Sequence, residues 1–189
     1  GKMFMRWFWY FIIYSFLGFL LEVAFARAIG HPKRDRKCFL LLPLCPVYGL
    51  SMAAVLALVP ADSGLPALIL AGGAVCTAVE YLVHLFYDAV FGVRFWDYSL
   101  LPGHLGGRIC PQFALIWGVL SAAAVRWIQP LLEPAAAAVP PAAVLALWMV
   151  LAADCVLTSA LLRQYRNIDL LSLRAASAQA RASSQSSTS

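Results

Sequence analysis

The stretch PAAVLALWMVLAADCVLTSALLR, residues 141–163, holds one charged residue, Asp154, before its closing Arg163. A helix crosses the hydrocarbon core of a bilayer with about 20 such residues. Comparable apolar runs lie at about 5–27, 43–60, 65–91 and 110–129. They predict an all-α fold, a polytopic membrane helix bundle of about five transmembrane helices. Residues 1–166 then form a single transmembrane domain with the lipid bilayer as its surroundings. Composition agrees, since 12% of the chain is charged against about 25% in a soluble domain. Residues 167–189 end in AASAQARASSQSSTS. That small, polar, low-complexity composition predicts a disordered C-terminal tail.

The net charge of +5 reads as topology rather than nucleic-acid binding. Eleven of the fourteen Lys and Arg fall on one side of the expected spans: Arg27, the 30–37 loop GHPKRDRK, Arg94, Arg108, Arg163, Arg166, Arg174 and Arg181. The positive-inside rule makes that side cytoplasmic, with the N-terminus outside and the C-terminus inside. Lys2, Arg6 and Arg126 are the exceptions. The first apolar run carries Glu22 and no small-residue cleavage site, so it reads as a span and not a signal peptide. The five cysteines form no CxxC pair and read as buried thiols.

Two parts of the sequence echo each other. YSFLGFLLEVAFA leads through a basic loop to CPVYG, and AGGAVCTAVEYLVHLF leads through a Trp-Asp segment to CPQFALIWG. Each half offers a Glu toward one helix end, a connection, a Cys-Pro that opens the return helix, and an aromatic-Gly pair, Tyr48-Gly49 or Trp117-Gly118. This suggests a two-fold internal repeat of helix pairs, with chance similarity in a biased composition as the alternative. Pro46 and Pro111 suit the first turn of a helix. The 92–109 segment, GVRFWDYSLLPGHLGGR, mixes Trp96 and Tyr98 with glycines and a proline. It predicts an interfacial or shallow re-entrant element.

Ionisable residues inside apolar runs are the candidates for function. Glu80, His84 and Asp88 recur at four-residue intervals and share one helical face with Gly73 and Thr77. Ser15, Gly18 and Glu22 form a similar stripe, and Asp154 and Thr158 lie four apart. Small and polar stripes belong at helix–helix contacts. The candidate ligand-binding set is therefore Glu22, Glu80, His84, Asp88 and Asp154, completed by Asp97 and Arg108 of the connecting segment. For each, structural pairing is the competing explanation. Glu80 and His84 at i, i+4 would supply two metal ligands, but with one well-placed His and no thiolate beside it, neither a metal nor a cofactor is expected. Catalysis by Cys45 or Cys110 with His84 as base would need a proximity that spacing does not give.

In order along the chain, YSFLGFLLE (14–22), FLLLPLCPVYG (39–49), VEYL (79–82), WDYS (96–99) and GRICPQFALIWG (107–118) resemble a family. It is the set of bacterial integral membrane proteins catalogued as "putative ABC-transporter type IV", also called permeases. The resemblance implies a bacterial cytoplasmic-membrane protein engaged in transport. The chain has no GxxxxGK[ST] phosphate loop, so ABC transport would need a separate ATPase subunit as partner. The expected function is transport, or binding in support of transport, of a small polar or charged solute at an internal site near the cytoplasmic leaflet. The alternatives are an intramembrane enzyme acting on a lipid or polyprenyl headgroup, and a structural or regulatory subunit. A homo-oligomer is compatible with each.

Overall fold

The computed structural model describes residues 1–30, 38–171 and 173–186. The basic residues expected to set topology at 33–37 lie outside the described residues, as does the end of the tail at 187–189. The described residues are all-α, with helices α1 (Lys2–Ala28), α2 (Pro46–Leu58), α3 (Leu65–Phe91), α4 (Pro111–Ala123), α5 (Gln129–Ala137), α6 (Pro141–Tyr165) and α7 (Leu173–Ser186). A π turn, Ala124–Ile128, joins α4 and α5 into one rod, Pro111–Ala137.

Among the described residues, four helices are long and apolar enough to cross a membrane: α1, α3, the Pro111–Ala137 rod and α6. The 27 residues of α3 reach about 40 Å at about 1.5 Å per residue. The run at 43–60 departs from the expected span. Its helix, α2, has 13 residues and reaches about 20 Å, short of the roughly 30 Å of hydrocarbon. Prolines set both its ends. Cys45, before Pro46, is extended at φ −116°, ψ 94°, and Val59, before Pro60, is extended at φ −107°, ψ 120°. A residue preceding proline is pushed out of the helical region.

The fourth run departs in the other direction, continuing to Ala137 through Pro130 and Pro134. Pro130 lacks an N–H and its ring crowds the carbonyl four residues back, at Arg126. The π turn lies across that point and loosens the ladder there. In the tail, where composition predicts disorder, Leu173–Ser186 is helical. It is rich in Ala, the best helix former, and holds neither Gly nor Pro.

Two close helix pairs make the bundle, α1 with α2 and α3 with α4, and α2 joins them by packing on α3. The main core runs through both pairs, from Tyr14 of α1 through Val55 and Leu68 to Ala122. Helix α6 packs more loosely, against α1 and α3. Small residues set the close approaches. A Cβ on Gly118 of α4 would fall on the carbonyl oxygen of Ile69 of α3, and one on Gly49 of α2 would fall on the Ser15 side chain and the Phe11 carbonyl of α1. Backbone cannot move aside as a flexible side chain can. Gly118→Ala is therefore expected to cost about 1–3 kcal/mol by forced separation of α3 and α4. Thermal unfolding in mild detergent reads this, and an unchanged midpoint would contradict the close approach.

Two connections close one end of the bundle. Residues 38–45 lie against α1 and α6, burying Leu40 and Leu44 with Phe8, Ile12 and Val144. Residues 92–110 fold back on themselves: the Tyr98 N–H donates to the Gly107 carbonyl at 2.8 Å and the Leu105 N–H to the Ile109 carbonyl at 3.0 Å.

Candidate functional site: a central cavity with two carboxylates

A cavity of about 280 Å³ lies between the two helix pairs, bounded in part by residues of the 38–45 and 92–110 connections. Most of its wall is apolar or aromatic, including Leu17, Phe39, Met52 and Tyr87. Two carboxylates face it, Glu22 from α1 and Glu80 from α3. Among the described residues that line it, none is Lys, Arg or His.

Each carboxylate is held by aromatic donors. The Tyr48 hydroxyl donates to Glu22 Oε1 at 2.6 Å. The Tyr98 hydroxyl donates to Glu80 Oε1 at 2.6 Å and the Trp117 indole N–H donates to Oε2 at 2.9 Å. Both oxygens of Glu80 are thus acceptors, and both donors are neutral. Glu80 is only 5% exposed. A carboxylate so buried is costly unless a positive charge offsets it. Tyr48 and Trp117 meet edge to face, 5.4 Å between ring centres, which ties the two helix pairs together beside the cavity. Tyr98 stacks on Phe113 at 4.8 Å. These ring contacts fix the donors, so the carboxylates are presented in defined orientations.

The other expected site residues lie in the cavity's cover and supports. His84 Nε2 meets the Trp96 carbonyl at 3.0 Å; a carbonyl only accepts, so Nε2 carries the proton. The Trp96 indole in turn donates to the Arg108 carbonyl at 3.0 Å. Arg108 reaches Asp88 at 3.2 Å and sits over the Tyr81 ring. Arg94 bridges Asp88 at 3.6 Å and Asp97 at 3.7 Å. The Ser99 hydroxyl and backbone N–H both donate to Asp97, and they hold its carboxyl below the usual range, with Arg94 adding to the effect. Asp154 of α6 accepts from the Leu41 N–H at 2.9 Å and the Leu42 N–H at 2.8 Å, and Thr158 donates to it at 2.8 Å.

Of the seven residues expected to form one site, Glu22 and Glu80 therefore come together. His84, Asp88, Asp97 and Arg108 fasten the 92–110 connection, and Asp154 fastens 38–45. Cys45 and Cys110 stand at the helix N-caps of α2 and α4, and His84 points at Trp96. Three donors were not among the expected site residues: Tyr48, Tyr98 and Trp117. Their signal was present, since two precede the paired glycines and the third lies in WDYS.

A family model described as "Putative ABC-transporter type IV" matches residues 9–159. The chain belongs to that family. The matched region of this family member takes in both carboxylates, their three aromatic donors and all five residues that secure the cover. No curated protein and no solved structure matches the chain.

Proposed function

We propose that this membrane protein binds a small organic cation with an apolar body in the central cavity, in support of its transport. The observation that carries this reading is Glu80. It is a buried carboxylate with neutral donors on both oxygens, in an aromatic-walled cavity whose described lining residues include no base. A quaternary ammonium or protonated amine would offset its charge, and the aromatic faces would attract the same cation. The second carboxylate, Glu22, lines the same cavity.

An internal repeat, as the sequence suggests, would favour a transport role, because transporter sites sit at repeat interfaces. Phe11 is eleven residues before Glu22, and Ile69 is eleven before Glu80. Gly49 approaches the Phe11 carbonyl as Gly118 approaches that of Ile69. The residue before each glycine, Tyr48 or Trp117, donates to the Glu. The match is out of step with Cys-Pro: Tyr48 lies three residues after Cys45 and Trp117 seven after Cys110, a difference of one helical turn.

The positive-inside count supports a cytoplasmic 92–110 connection and an outside N-terminus. The family description supports a separate ATPase subunit as a partner, and a homo-oligomer would extend the path across the bilayer. The ion pairs and hydrogen bonds of Asp88, Asp97, Arg108 and Asp154 support a structural part for these residues.

Proteoliposomes containing the protein, given a negative-inside potential and radiolabelled benzyltrimethylammonium, are expected to accumulate the cation above protein-free vesicles. Glu22→Gln/Glu80→Gln protein is expected to fall to the protein-free level. Equal uptake by wild type and the double variant would contradict the assignment of the carboxylates.

A further inference from the structure

The three basic residues that break the positive-inside count converge in space. Lys2 and Arg6, from the first turns of α1, and Arg126, from the π turn, all line one open cleft of about 730 Å³. It lies at the bundle end opposite the two covering connections, where α1 begins, α2 ends at the 59–64 turn, and the Pro111–Ala137 rod passes its π turn. One acid, Glu133, shares the lining with these cations, and Asp62 on the neighbouring turn is not part of it. The π turn imposed by Pro130 sets Arg126 here, and its guanidinium is anchored by donation to the Ser63 carbonyl at 3.1 Å. Trp7 and Tyr10 line the same cleft. Such rings favour the headgroup level of a bilayer.

We propose that this cleft binds the phosphate of an anionic lipid headgroup. Its charge suits a phosphodiester, with arginines able to present paired N–H donors. Its setting favours a lipid over free phosphate. Met3, which lines it, is 74% exposed, and Leu131, one residue past Pro130 of the lining, is 73% exposed. These apolar side chains continue the cleft onto the face that acyl chains would cover. Scattered snorkelling bases would not need to meet from two separate helices around one opening.

The test is native mass spectrometry of the full chain in mild detergent, titrated with phosphatidylglycerol or with phosphatidylcholine of the same acyl chains. Wild type is expected to bind the first phosphatidylglycerol about tenfold more tightly than phosphatidylcholine, as a few convergent bases would give. Arg6→Gln/Arg126→Gln is expected to reduce that preference to about twofold or less. Inorganic phosphate is expected to leave phosphatidylglycerol binding unchanged. Should the double variant fail to fold, the exposed Lys2→Gln is expected to lower the preference about threefold. The proposal is overturned by a preference that survives these substitutions, or by equal binding of the two lipids in wild type. Displacement by inorganic phosphate alone would overturn the lipid assignment in favour of a free-anion site.

Discussion

Glu80→Gln is expected to weaken binding of benzyltrimethylammonium by about 30-fold or more, while the folded helix content stays unchanged. Removing one member of a desolvated charge pair costs about 2–5 kcal/mol, which sets that scale. Folding should survive because the substitution acts on the bundle in two opposed ways. The Gln carbonyl can still accept from the Tyr98 hydroxyl, which reaches Oε1 at 2.6 Å. The Gln amino group then faces the Trp117 N–H and loses that bond, at about 1–3 kcal/mol. Against this, a buried charge with neutral partners is gone, which relieves desolvation. The melting temperature in detergent should be unchanged or slightly raised. Isothermal titration calorimetry with circular dichroism reads both quantities. Wild-type affinity in a folded Glu80→Gln protein would remove Glu80 from the site.

Asp154→Ala is expected to have the largest effect on stability, about 2–4 kcal/mol. The carboxylate closes the Leu41 and Leu42 N–H groups and the Thr158 hydroxyl at once, and each donor left unsatisfied costs about 1–3 kcal/mol where water does not reach it. The clamp also holds an unfavourable backbone. Leu40 has φ 146°, a conformation that costs an L residue about 1–3 kcal/mol and persists only where its surroundings impose it. Beside it, Phe39 lines the cavity and stacks on Tyr87 at 5.1 Å. Loss of the clamp should therefore reach the cavity. Hydrogen exchange at residues 40–44 is expected to accelerate strongly, while the α3–α4 pair stays protected. Asp154→Asn keeps one acceptor and should fall between. Unchanged exchange at Leu41 and Leu42 would show that the carboxylate does not hold this connection.

The sequence made some of this plain. Apolar runs located α1, α3 and α6 within a few residues, because length and hydropathy alone decide a membrane helix. They failed at 43–60, where Pro43, Pro46 and Pro60 leave room for only a short helix, and at 129, where a π turn carries the rod past Pro130. Glu22 and Glu80 were legible as costly residues on small-residue stripes. The sharing of work along α3 was not. Glu80, His84 and Asp88 occupy one face, yet only Glu80 meets the cavity. The 92–110 connection folds back over the same face and takes His84 through Trp96 and Asp88 through Arg108. Spacing on one helix cannot report which neighbour covers each turn of it. The aromatic donors were visible as Tyr48-Gly49, Trp117-Gly118 and WDYS, but pairing them with carboxylates depends on helix contacts that no local pattern encodes.

The central claim is that the cavity recognises positive charge on an apolar body. The most direct test compares benzyltrimethylammonium with neopentylbenzene, which replaces the nitrogen by carbon at the same shape, for binding to the purified protein. The cation is expected to bind and the neutral isostere to bind at least about tenfold more weakly, with the difference abolished in Glu80→Gln. Equal binding of the two by wild type would mean that the cavity reads only apolar shape, and would contradict the account.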